Sequence, residues 1–228
     1  MRSLVEILTP AASAALTTLA RVKGELDIKT KDDDEVLLAK INEASSDIEA
    51  ALGFRVPKED VKETFWHDTV SLPAAPISRT GLGTPPETTL FLSRKKVRSI
   101  ASVVVDDETL DPSEYRVDGD AGLLDRLDSD GYPCVWRFCK SVIVTMTAGY
   151  ILPGSSGRDL PYGIEGAVVA LVSSYWASKG RDTTLRSEEI PGVIRRDYWV
   201  GAVGDPELLP PRILASLVQF RRFIAAVA

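Results

Sequence analysis

The chain has one histidine, two cysteines and two methionines in 228 residues. A Ser-His-Asp or Cys-His arrangement would have to use His67, and no G-x-S-x-G elbow or comparable nucleophile context is present. Glu63 and His67 stand four apart in ETFWH, as zinc ligands do on helices, but this segment reads as extended and a second histidine is missing. His67 is therefore expected as a half-exposed strand residue. Cys134 and Cys139, five apart, would lie on opposite faces of a strand, so no bridge between them is expected and a reducing compartment fits best.

Long hydrophobic runs are also lacking. The longest, Gly166 to Ala177, already contains Ser173, Ser174 and Tyr175 and is too short for a membrane span. At the start, Arg2 precedes Leu4, Val5, Ile7 and Leu8, but Glu6 and Pro10 interrupt any signal-peptide core, so secretion is not expected. Positive charge is in deficit. Lys and Arg number 27 against 33 Asp and Glu, a net charge of −6 with a pI near 5.0, which argues against a surface that grips nucleic acid. The glycines Gly81 and Gly83 precede no helix and no GK[ST], so they form no phosphate cradle. Acid pairs such as Asp118 with Asp120, or Glu188 with Glu189, are turn residues, which are usually solvated. No catalytic, cofactor or metal site is assigned.

What is present suits an ordinary globular protein, with 44% apolar and 26% charged residues. Leu4 to Leu8 reads as an extended arm ended by Pro10. Thr17 or Thr18 can cap a helix carrying Leu19, Val22 and Leu26, expected over 18–27. KTKDDDEVLL, residues 29–38, puts consecutive acids before Leu37, Ile41, Ala44, Ile48 and Ala51, which recur at helical steps as far as Gly53. A calcium loop wants alternating oxygen ligands and a turn glycine. The acids are instead expected to cap a helix over 33–52, where they offset its unpaired N–H groups.

From Val61 to Gly149 the period is that of strands. Phe65 and Trp66, Leu90 to Leu92, Val97 to Val105, Tyr115 with Val117, and Ser141 to Thr147 are expected strands, with turns at VDDETLDP and LDSDGYP. Between the first two lies a Pro- and Gly-dense loop, Leu72 to Glu87. No helical pattern separates these strands, which predicts a compact antiparallel sheet or small barrel. Helical periodicity returns over 163–179 and again over 210–226, with an extended piece near Gly192 to Val200 between them. The expected fold class is α+β: a helical bundle of about four helices interrupted by an antiparallel β insertion. Its domains are an N-terminal arm with bundle helices (1–60), the insertion (61–150) and the C-terminal helices with an extended connection (151–228).

One late cluster stands out. Tyr198 and Trp199 follow Arg195 and Arg196 in a non-helical stretch, and aromatic residues with Arg are typical interface anchors. Equally, they could cover the core of their own subunit.

The order PAASAALTTLARVKGELDI, then DDDEVLLAKINEASSDIEAALGF, then LFLSRKKVRSIASVVVDDETLDPSEYRVD and VIVTMTAGY, resembles the head-tail connector, or adaptor, proteins of tailed bacteriophages and gene transfer agents. The resemblance spans nearly the whole chain and rests on the order of its pieces, none of which is catalytic. The Leu72 to Glu87 loop and LRSEEIPGVIRRDYWVG depart from the pattern. The resemblance implies a non-enzymatic virion protein of the neck, present in the host cytoplasm during assembly. It implies a homo-oligomeric ring of about twelve copies under the portal protein, contacting a tail-side neck or tail-completion protein, with no membrane partner. Genomic DNA would pass through its channel without sequence-specific binding. The residues expected to meet the portal are Arg195, Arg196, Tyr198 and Trp199, together with Arg212, Phe220, Arg221 and Phe223. Alternatives are a sixfold tail-completion or tail-terminator ring and an unrecognised hydrolase or metal enzyme.

Overall fold

The computed structural model describes residues 2–66, 88–136, 140–179, 187–190, 194–197 and 209–221. It has two compact units. One combines residues 1–12 with 55–150, the other 13–54 with 151–228. The fold class is the expected α+β mixture, with four helices and antiparallel sheets.

The first unit is built on two sheets. Strands β1 (Arg2–Thr9), β2 (Glu59–Trp66), β4 (Val97–Val105), β5 (Glu108–Thr109) and β9 (Ser141–Ala148) form one sheet in the order β1-β2-β9-β4-β5. Strands β3 (Thr89–Phe91), β6 (Tyr115–Asp118) and β7 (Leu123–Leu127), with β8 (Pro133–Cys134) beside β7, form the other. Strict alternation explains the shared core. Val61 and Phe65 of β2 and Val142, Val144 and Met146 of β9 point inward with Val103, where Leu90, Leu92, Leu124 and Trp136 meet them. The strands expected to make a compact antiparallel sheet or small barrel form two sheets, with β5 inside a segment read as a turn, β8 at the end of another, and β7 not assigned from the sequence. LLDRL on β7 buries only Leu124 completely, so its alternation signal is faint.

Turn chemistry fixes these strands in place. Asp106 and Asp107 take positive φ (49° and 73°), the tight hairpin geometry between β4 and β5. DPSE makes a capping box: Asp111 Oδ1 accepts from Ser113 N at 2.9 Å, and Asp111 N donates to Glu114 Oε2 at 2.8 Å. The glycine of VTMTAGY is required. Gly149 has φ +101°, and a Cβ there would stand 2.1 Å from the Pro57 carbonyl oxygen.

The N-terminal arm is β1 itself, paired with β2 from Arg2 opposite Trp66 to Ile7 opposite Val61. It lies with the sheet, not with the helices with which the sequence reading grouped it.

The second unit contains α1 (Leu19–Glu25), α2 (Asp34–Leu52), α3 (Tyr162–Ala177) and α4 (Pro211–Leu217), followed by a 3-10 turn (Val218–Phe220). It also holds a hairpin, β10 (Ser187–Ile190) with β11 (Ile194–Asp197). Leu37, Ile41, Ala44, Ile48 and Leu52 of α2 form a buried stripe, matched on α3 by Ile164, Val168, Leu171 and Val172 and on α4 by Ile213, Leu214 and Leu217. Gly53 ends α2 in the left-handed conformation (φ 76°), its N–H donating to the Glu49 carbonyl. The last helix is shorter than expected. It tightens after Leu217, and Arg221 takes extended angles (φ −57°, ψ 149°). The expected loop 72–87 and the tail of that helix after Arg221 lie outside the described residues.

Candidate functional site

Among the described residues no group of three or more His, Cys, Asp or Glu is placed to hold a metal, and no described helix is long and apolar enough to cross a membrane. His67 and Cys139 lie outside them. Cys134 is half-buried on β8, at the wall of an open depression of about 620 Å³ with Ser113, Glu114, Arg126 and Asp128. Asp128 is occupied there by its own turn, accepting from Asp130 N and Tyr132 N.

The polar side chains buried in each unit hold it together. In the helical unit, Glu165 of α3 accepts from Thr17 Oγ1 at 3.2 Å on one oxygen and from Arg158 at 2.7 Å on the other. Of the two possible caps of α1, Thr18 is the one used, accepting from Arg21 N, which leaves Thr17 for Glu165. The acidic start of α2 differs from expectation. Asp33 stands at the N-cap position but makes no side-chain cap bond. It receives Lys179 Nζ at 2.8 Å, while Asp34 receives Lys23 Nζ at 2.6 Å. The helix dipole still favours acids there, and the lysines tie α1 and the end of α3 to the same turn. Tyr175 donates to Asp47 Oδ2 at 2.6 Å. Burial, and then that carboxylate, push the Tyr175 hydroxyl well above its ordinary value.

In the β unit, Glu59 and Glu63 share the inward face of β2 with Val61 and Phe65. Glu59 meets Arg94 at 3.2 Å and Arg55 at 3.7 Å. Glu63 Oε2 accepts from Ser93 N at 2.8 Å and Ser93 Oγ at 2.9 Å, while its Oε1 has no hydrogen-bond partner among the described residues. These acids anchor the turn between β3 and β4.

The expected portal-contact residues are not gathered into one place by what is described. Tyr198, Trp199 and Phe223 lie outside the described residues. Arg195 and Arg196 are on β11, opposite Glu189 and Glu188 of β10. Arg212 is exposed on the first turn of α4. Phe220 and Arg221 have internal work: Phe220 lies over Gly163, where a Cβ would come within 2.8 Å of its ring, and Arg221 Nε donates to the Ala51 carbonyl at 2.9 Å.

A surface that sequence reading did not single out is the outer side of β1. Leu4 (61% exposed) lies there, Ile7 and Leu8 are exposed as well, Ile7 on the opposite face, and among the described residues β1 is the terminal strand of its sheet. The signal was weak because RSLVEILT has apolar residues on both faces.

The fold is similar to that of chains in gene transfer agent particles. A chain in the neck of an empty gene transfer agent particle, computed with C6 symmetry, matches over 99% of this chain and 98% of its own, with TM-score 0.57 and 16% identity. A chain in the neck of a native particle, computed with C12 symmetry, matches over the same shares with TM-score 0.55 and 16% identity. One in the virion of the native agent gives 0.54 and 15%, again over 99% and 98%. At the level of sequence, residues 16–76 match the family of phage gp6-like head-tail connector proteins, and it is this family that the chain resembles. No curated protein matches it.

Proposed function

We propose that this chain is a non-enzymatic head-tail adaptor of a tailed phage or gene transfer agent. The observation that carries this reading is the agreement of fold over 99% of the chain with subunits of particle necks, joined to the connector-family match at 16–76. In this reading about twelve copies close a ring by heterologous contacts, in which each copy offers two different faces. The ring sits beneath the portal protein, continues the DNA channel and receives a tail-side neck or tail-completion protein. The helices form the ring wall.

Charge supports a conduit. Twelve copies of a chain carrying −6 hold about −72, so a duplex finds few cations to release its counterions against and slides by. The portal contact remains with Arg195, Arg196, Tyr198, Trp199, Arg212, Phe220, Arg221 and Phe223. Because Arg221 also binds the end of α2, removing the C-terminus would disturb the helical unit as well as any contact. The exposed Arg212 is the cleaner probe. Arg212→Glu is expected to weaken attachment to portal-bearing heads at least tenfold while leaving the circular dichroism spectrum unchanged, and full attachment would remove Arg212 from the contact. Cryo-EM of the docked complex counts the copies. Six around the axis instead of twelve would favour a tail-completion or tail-terminator ring, and no density at the portal would overturn the adaptor.

A further inference from the structure

The two edges of the five-stranded sheet are finished differently. At one, β5 covers Val104 and Val105 of β4, and β4 carries two register shifts, between Val97 and Ser99 and between Ile100 and Ser102. Bulges and short cover strands are how sheets avoid adding further strands. At the other, β1 keeps unbroken register from Arg2 to Ile7, and among the described residues no strand lies beyond it. An extended, regular edge of this kind is a template for pairing.

Its sequence is complementary to itself. Arg2, Leu4 and Glu6 alternate onto one face, since they stand opposite Trp66, Thr64 and Lys62. We propose that the β1 edge pairs antiparallel with β1 of a second copy about a two-fold axis through Leu4, joining two five-stranded sheets into one of ten. Only registers that keep each face continuous are compatible with an extended sheet, and they shift by two residues. Of these, the register centred on Leu4 sets Arg2 opposite Glu6 of the partner copy at both ends, with Leu4 against Leu4. Directly opposed charges of opposite sign support a strand pair, and like charges oppose it. Within its own copy Glu6 lies 3.6 Å from Lys62, so the partner's Arg2 would share a carboxylate that is already oriented.

The contact is isologous, so it is distinct from the heterologous ring contact and does not rest on the adaptor reading. Two eight-residue strands bury less than about 1,200 Å², the range of weak and reversible association. The dimer therefore belongs to the undocked protein at high concentration.

Sedimentation equilibrium of the full chain from about 1 μM to 1 mM tests this. Wild type is expected to pass from monomer to dimer. Glu6→Arg places Arg opposite Arg twice, and Leu4→Arg puts two cations on the axis; each should weaken dimerisation more than tenfold. The double swap Arg2→Glu with Glu6→Arg should restore it, which loss of the Lys62 pair alone cannot explain. Thermal melts of each variant confirm folding. A monomer across the whole range overturns the proposal, as does a dimer indifferent to both single substitutions. Rings of six or twelve that form equally in Glu6→Arg, while its undocked dimer is weakened, would support a contact distinct from the ring contact.

Discussion

Two buried carboxylates, Glu165 in the helical unit and Glu63 in the β unit, are bonded differently. In the helical unit Glu165 has both oxygens bonded, one to a hydroxyl and one to a guanidinium brought in from a loop. In the β unit Glu63 is 0% exposed yet bonds through one oxygen only. A helix can turn an acid toward whichever neighbour suits it. A strand cannot, because Val61 and Phe65 must face inward and residues at steps of two follow them. Local geometry decides where the acid of β2 goes, and the turn at Ser93 adapts to it.

The largest test of this contrast is on the backbone of the β unit. Gly149→Val forces a Cβ against the Pro57 carbonyl at an unfavourable φ, and should cost about 4 kcal/mol in urea denaturation. Next come the two buried acids. Glu165→Gln removes the charge that faces Arg158 and should cost about 2 kcal/mol. Glu63→Gln loses a charge whose second oxygen is unbonded, and should change stability by less than about 1 kcal/mol. Equal losses at both positions would break the comparison.

A pH-dependent effect distinguishes Tyr175. Its folded-state value is raised, so the associated stability is complete below the unfolded value of about 10 and is lost as pH rises beyond it. Tyr175→Phe should cost about 1 kcal/mol near neutrality and flatten the alkaline decline, as read from melting temperature against pH. The smallest effect is expected at the acidic start of α2. Lys179 is half exposed, so Lys179→Ala should cost less than about 1 kcal/mol, and a larger thermal shift would show that the lysine carries more than an exposed ion pair.

Much of the helical unit was readable in advance. The stripe from Leu37 to Ile48, the stop at Gly53 and the face from Ile164 to Val172 appear where a 3.6-residue period puts them. The β unit was less legible. Strands β2, β4 and β9 show long alternation, whereas β5 and β8 are two residues each and β7 buries little, so only their partners define them. The same limit applied to function. Phe220 and Arg221 were expected at a partner contact, and only the fold shows that each also has a neighbour within its own unit. Conversely, the edge of β1 could not be foreseen, since whether a strand is terminal depends on which other strands pair with it.

The sequence by itself determined the periods, the turn glycines, the shortage of histidine and basic charge, and hence an α+β reading. Those properties are carried by single residues and their nearest neighbours along the chain. Only the tertiary structure decided that the arm joins the sheet, that the acids of α2 hold lysines of α1 and the end of α3, and that among the described residues one sheet edge is blunted while no strand covers the other. Pairing and burial depend on residues distant in sequence coming together, and no local pattern encodes which of them will meet.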